Sequence, residues 1–208
     1  MEIITKKDIS KVQDLFMGFQ HAYVYGKGPT FQVKNAEPTT ITCCINQTVN
    51  VVGHADLLVV NDIETFDTIN LETLKYVRCI LVPYHIHINA RSHTDITYKN
   101  VVNKIKSHFN GFFIVYNLEN CFRKYDEFIS LPSKVVYSSC HTACDFLFGF
   151  LQNIQSIDTY GFGKFADEAY HKSFNKPDTD LYNKTRMNEL VCNMNLISKF
   201  YNKTIIYN

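Results

Sequence analysis

Apolar residues along this 208-residue chain come in short bursts rather than long blocks. Seven bursts recur: AYVY (22–25), TITCCI (40–45), ADLLVV (55–60), RCILV (78–82), GFFIVY (111–116), IDTYG (157–161) and KTIIY (203–207). Most lack strict alternation, as strands covered on both faces do. Between the bursts the period lengthens. Ile9, Val12, Phe16 and Phe19 fall at helical spacing before the first burst, and residues 67–76 are compatible with a helix. TYKNVVNKIKSHF (97–109) sets Val101, Val102, Ile105 and Phe109 on one side, and SSCHTACDFLFGFLQNI (138–154) reads as a largely buried helix. In NKTRMNELVCNMNLISKFY (183–201), Met187, Leu190, Val191, Met194 and Ile197 mark one apolar face. Strand and helix alternating in this way predict an α/β fold with a mostly parallel sheet flanked by helices, one domain over residues 1–208.

One region breaks the rhythm. From Phe162 to Tyr182 the chain mixes charge, proline, asparagine and aromatics without a period. It is long for a connection inside one domain, and such segments are often lids. Phe165, Tyr170, Phe174 and Tyr182 favour a packed lid over about 162–183. A disordered surface loop is the alternative, but disordered segments are poor in aromatics.

Composition narrows the partners. A formal net charge of +1 gives no electrostatic footprint for nucleic acid or an anionic membrane. No stretch reaches the roughly 18 apolar residues of a membrane span, and the N-terminus MEIITKKDISKVQDLF lacks the apolar run of a signal peptide. Seven cysteines, an odd number with no CxxC pair, are expected to be reduced thiols. A cytoplasmic location follows as the expectation, with the sequons at Asn46, Asn183 and Asn202 unused. The abundance of Asn, Ile, Lys and Tyr suits an AT-rich genome, such as a viral one.

The candidate chemistry gathers where strands end. Gly26, Lys27, Gly28, Pro29 and Thr30 follow the first burst; Asn46 and Gln47 follow the second; Asn61 and Asp62 follow the third. In open α/β sheets ligands bind beyond the carboxyl ends of strands. Glycines there let the backbone approach a phosphate, and amides can donate to and accept from a base or sugar together. An ordinary tight turn also explains the glycines, and asparagine favours turns for its own reasons.

VYGKGPTF, CINQ, VVND, YSSCHTACDF and IDTYGFG resemble, in that order, the CMP-sialic-acid-dependent sialyltransferases. The likeness is nearer to the bacterial single-domain enzymes and fainter to the animal Golgi ones. The bacterial pattern opens with Gly-Asn-Gly-Pro-Ser, to which Gly26 to Thr30 is similar. Cys-Asn-Gln and Tyr-Asn-Pro follow, resembling the stretches ending in Asn46-Gln47 and Asn61-Asp62. A Thr-Ser-Gly that opens a later buried helix resembles Ser138-Ser139-Cys140. The resemblance spans nearly the whole chain in short motifs. It implies a Rossmann-like sheet with a lid, and metal-independent, inverting transfer of a sugar from a CMP-sugar to an acceptor glycan, with no cofactor beyond that co-substrate. It would place Gly26, Lys27, Gly28, Pro29, Thr30, Asn46, Gln47 and Gly161 at the nucleotide, Asn61 at the sugar or phosphate, and Ser138 and Ser139 at the donor sugar.

The resemblance departs at the base. Family members carry a histidine just before the last long helix, in the animal enzymes followed five positions later by glutamate. Glu189 suits that glutamate, but Lys184 stands five residues earlier, and no histidine follows His171. Either His171 reaches the acceptor from the lid, or the base is missing; Tyr170 and Tyr182 are candidates for the departing phosphate. Lys184 would need a strongly lowered pKa to serve as base. A silent nucleotide or glycan binder of the same fold is one alternative. Another Rossmann-like enzyme, such as a methyltransferase, is a second, which a carboxylate in place of Asn46 would favour.

Two other clusters carry lesser readings. His85, His87 and His93 could hold zinc, but without paired ligand spacing they read first as polar residues at a strand end. Cys140, His141 and Cys144 open a helix, where thiol pKa values fall. A nucleophile pair must nevertheless converge in space, and adjacent helix residues point apart.

Overall fold

Each of the seven apolar bursts forms a strand, and every strand pairing among the described residues is parallel. The computed structural model describes residues 1–28, 30–62, 64–84, 97–119, 124–134, 138–162 and 184–208, with side chains in the last segment from residue 190 onward. The strands are β1 (Glu2–Ile4), β2 (His21–Tyr25), β3 (Thr40–Ile45), β4 (Ala55–Val59), β5 (Val77–Pro83), β6 (Phe112–Asn117), β7 (Ile129–Ser130), β8 (Ser156–Tyr160) and β9 (Thr204–Tyr207). The order across the sheet is β1-β6-β5-β4-β3-β2-β8-β9, with β7 continuing along β6 at Tyr116 and Asn117. The fold is therefore α/β and Rossmann-like.

Both faces of the sheet are covered, which is why the strands read as continuous apolar runs. On one face lie α1 (Ile9–Leu15), α5 (Ser139–Phe150) and α6 (Lys184–Tyr201). Val12, Ala143, Phe146, Leu147, Met194 and Ile197 pack there on Val24, Ile41, Cys43, Leu57, Val59 and Ile114. The other face carries α2 (Thr48–Val52), α3 (Thr65–Thr68), a 3-10 turn (Leu71–Tyr76) and α4 (Tyr98–Ile105). Val49, Phe66, Leu74, Val101 and Ile105 meet Tyr25, Cys44, Leu58, Ile80, Val82 and Phe113. Fully burying one such Leu, Ile or Phe contributes about 1.5–3 kcal/mol. Cys43, Cys44, Cys79, Cys140 and Cys144 are buried free thiols in these layers.

A polar lock joins α5 to α6. Asp145, fully buried in α5, accepts hydrogen bonds from the Ser133 N–H at 3.2 Å, the Ser133 hydroxyl at 2.7 Å and the Tyr201 hydroxyl. Burial nonetheless pushes its carboxyl above the usual aspartate value. The charged form loses more hydration than these three donors return.

Three features differ from the sequence pattern. β1 and β7 are additional strands, of three and two residues, too short to show a period. The helix expected over 67–76 is split, because Ile69 is extended at ψ 131° and the Asn70 side chain accepts from the Glu72 N–H at 3.1 Å, capping a separate turn. Asn50 holds the break in place, accepting from the Asn70 N–H at 2.9 Å and donating to the Thr68 carbonyl at 2.8 Å. The expected lid lies, from residue 163 onward, outside the described residues, as do His85, His87 and His93. Among the described residues no helix is long and apolar enough to cross a membrane, and no group of three or more His, Cys, Asp or Glu could hold a metal ion.

Candidate functional site at the carboxyl edge of the sheet

From β2 the chain builds the sheet in one direction as far as β6, then crosses back to add β8 on the other side of β2. Loops leaving β2 and β8 therefore diverge at a topological switch point, the place where open α/β sheets bind ligands. The Gly26 N–H donates to the Tyr160 carbonyl at 2.7 Å, and the Gly28 N–H to the Gly161 carbonyl at 2.7 Å. In return the Gly161 N–H reaches the Thr30 hydroxyl at 3.2 Å. The two loops are clamped together.

That clamp gives the glycines a different purpose from the one the sequence suggested. Gly26 does not have a positive φ; a Cβ there would lie 2.5 Å from the Phe162 ring. Gly161 has φ +80°, and its Cβ would lie 2.2 Å from the Gly26 carbonyl oxygen. Close approach of two loops requires both glycines. The Gly26 and Gly28 N–H groups, expected to face a phosphate, are engaged inside the protein. Thr30 serves the clamp through its hydroxyl.

The end of β3 is held by Thr48. Its buried hydroxyl accepts from the Ile45 N–H at 2.9 Å and lies 3.1 Å from the Tyr25 carbonyl, tying β2 to β3. The chain turns at Asn46 with φ 56°, a left-handed conformation that asparagine tolerates better than most residues. The backbone explains why asparagine stands here, but not what its side chain does. Asn46 Oδ1 and the neighbouring Gln47 Oε1 are buried atoms with no hydrogen-bond partner among the described residues. Buried acceptors left this way are uncommon and call for a donor.

Lys27, partly buried, extends from the β2 loop close enough to Asp62, after β4, for the carboxylate to favour its charged form. Burial is the larger effect and pulls its pKa below the usual lysine value. Asn61 is almost fully buried. Its Oδ1 accepts from the Tyr116 hydroxyl at 3.1 Å, its Nδ2 approaches the Thr142 hydroxyl at 3.5 Å, and those two hydroxyls lie 3.2 Å apart. Asn61 thus belongs to a buried network that fixes the start of α5 above the ends of β4 and β6. It does not present an open contact for a sugar.

The first turn of α5 faces the same edge. Ser138, partly exposed, caps the helix by accepting from the His141 N–H at 3.4 Å. Its hydroxyl also lies 3.1 Å from His141 Nδ1, while His141 Nε2 lies 3.1 Å from the Leu190 carbonyl of α6. Ser139 is buried. Burial lowers the His141 pKa, against an opposing effect of the Leu190 carbonyl. The thiol reading fails here: Cys140 is buried, its thiol is pushed far up by desolvation, and it points to Met194 Sδ at 3.3 Å.

The structure thus brings Gly26, Lys27, Gly28, Thr30, Asn46, Gln47, Asn61, Ser138, Ser139 and Gly161 to one edge. Pro29, Tyr170, His171 and Tyr182 lie outside the described residues; Lys184 opens α6, its side chain undescribed. Tyr116 was missed because it ends an apolar run, where a hydroxyl reads as packing, and Thr142 because it lies within a helix read as largely buried. Comparison with protein-family models, curated proteins and solved structures gives no match.

Proposed function

We propose that this edge binds a cytidine nucleotide sugar and that the protein transfers the sugar to an acceptor glycan with inversion. The observation that carries the reading is a pair of buried acceptors, Asn46 Oδ1 and Gln47 Oε1, that meet no donor among the described residues and lie beside the switch point. They call for N–H or O–H donors from a ligand. Ribose hydroxyls offer such donors, and so does the amino group of cytosine, where uracil has an acceptor instead. Lys27 brings a positive charge to this edge with the Asp62 carboxylate beside it, and the first turn of α5 adds no acidic residue. The clamp of the β2 and β8 loops forms the floor. The resemblance of the motif order to the sialyltransferases supports the choice of CMP and of sugar transfer. Asn46 counts against the methyltransferase alternative, which would set a carboxylate there for a ribose hydroxyl.

A thermal-shift panel with CMP, UMP, AMP and S-adenosylmethionine tests this. A ligand at about 100 times its Kd adds roughly 2.7 kcal/mol, and a domain of this size gains about 2–4 °C per kcal/mol. CMP is expected to raise Tm by about 5–10 °C, with UMP well behind. A response to S-adenosylmethionine without one to CMP would overturn the reading. CMP binding without turnover of CMP-sialic acid in the presence of glycan acceptors would leave a silent binder.

A further inference from the structure

Sugar transfer needs a group to take the proton of the acceptor hydroxyl, and the expected histidine before the last helix is absent from the sequence. Among the described residues, His141 is the one imidazole at the carboxyl edge. His21 starts β2, His54 precedes β4 and His108 follows α4, all toward the opposite edge.

The surroundings of His141 fix its tautomer. The Leu190 carbonyl can only accept, so Nε2 carries the proton and Nδ1 presents a lone pair. The Ser138 hydroxyl, 3.1 Å away, then donates to Nδ1. The serine oxygen also accepts from the His141 N–H, which leaves a second lone pair for a hydroxyl arriving at the rim. Ser138 is partly exposed and His141 is 1% exposed, so a ligand meets the serine and not the ring.

We infer that Ser138 and His141 form a proton relay that deprotonates the acceptor hydroxyl; the inference rests on the transfer reaction proposed above. The acceptor oxygen bonds to the anomeric carbon as the bond from that carbon to the phosphate oxygen breaks, its electron pair leaving with CMP. The acceptor proton passes to Ser138 Oγ while the serine proton passes to His141 Nδ1. The resulting imidazolium keeps its Nε2–H on the Leu190 carbonyl, which favours the cation, and the proton returns through Ser138 to solvent. Burial of the ring keeps it neutral before reaction, the form a base requires. Ser138 is the catalytic residue, since it touches the acceptor; His141 acts through it and positions its hydroxyl.

Capping and relay separate by substitution. Asparagine caps a helix about as well as serine but offers no hydroxyl, whereas threonine retains both functions. With the full chain, CMP-sialic acid and a glycan acceptor mixture, Ser138→Asn is expected to keep Tm and CMP affinity while CMP release falls about 10²-fold or more. Ser138→Thr is expected to stay within about threefold of the parent, since the hydroxyl survives. The parent rate is expected to fall at acid pH as His141 protonates, and His141→Gln to lose both that acid limb and most turnover. Turnover at the parent level in Ser138→Asn or His141→Gln, with the parent active, would overturn the relay alone. A parent that binds CMP but releases none from the donor would overturn the transfer reading and the relay with it.

Discussion

Gly161→Ala is expected to lower the unfolding free energy by about 3 kcal/mol or more, roughly 6–12 °C in Tm, and to remove the response to CMP. Two effects add. The residue has φ +80°, costing a side chain about 1 kcal/mol. Its Cβ would also lie 2.2 Å from the Gly26 carbonyl oxygen, a backbone atom that moves only if the β2 and β8 loops part. Gly53 is the internal comparison: its φ is +85°, yet nothing lies within 4 Å of its Cβ position. Gly53→Ala therefore isolates the conformational cost. Denaturant titration of both variants gives the difference, which is the energy of the clamp. Equal losses in the two would show that the loops are not held together.

The second large effect is at Asp145. Asp145→Ala removes the acceptor for the Ser133 N–H, the Ser133 hydroxyl and the Tyr201 hydroxyl together. Leaving buried donors unpaired costs about 1–3 kcal/mol each before relaxation, so a loss of about 3 kcal/mol or more is expected, with much less for Asp145→Asn, which keeps an acceptor oxygen. The pH dependence has an unusual sign for an aspartate. The folded-state pKa lies above the ordinary value near 3.8, because burial penalises the charge. The folded protein then binds more protons than the unfolded chain between the two values, and stability falls as pH rises across that interval. The contribution is fully present below 3.8 and lost as pH rises through the folded-state value. Urea titrations of parent and Asp145→Asn from acid to neutral pH should show the parent's advantage shrinking as pH rises. An advantage that grows would mean that the hydrogen bonds outweigh burial.

The sheet was legible because fully buried parallel strands write themselves as apolar runs, and TITCCI is buried at all six positions of β3. β1 and β7 escaped because two or three residues carry no period. The edge where ligands bind was legible for a topological reason: in a parallel sheet every loop leaving a strand's carboxyl end is on the same side. What each polar atom does there was not legible. Whether the Gly26 N–H is open depends on β8 being the neighbour of β2, a pairing across more than 130 residues. Asn61 looked like a ligand contact for the same reason, since its partner Tyr116 lies within the apolar run that forms β6. Ser138 and His141 were visible as neighbours at a helix start, but their alignment depends on the Leu190 carbonyl, which α6 brings from 49 residues away.

The account stands on the strand-end loops forming a single cytidine-nucleotide site, and amide chemical-shift mapping locates such a site directly. On addition of CMP to the labelled protein, the largest shifts are expected at Lys27, Gly28, Asn46, Gln47, Asp62, Ser138, Ser139 and Gly161. Shifts centred instead on the hollow of about 250 Å³ at the opposite edge, lined by Gln13, Phe16, Met17, Phe150 and Asn153, or no shifts at saturating CMP, would contradict it.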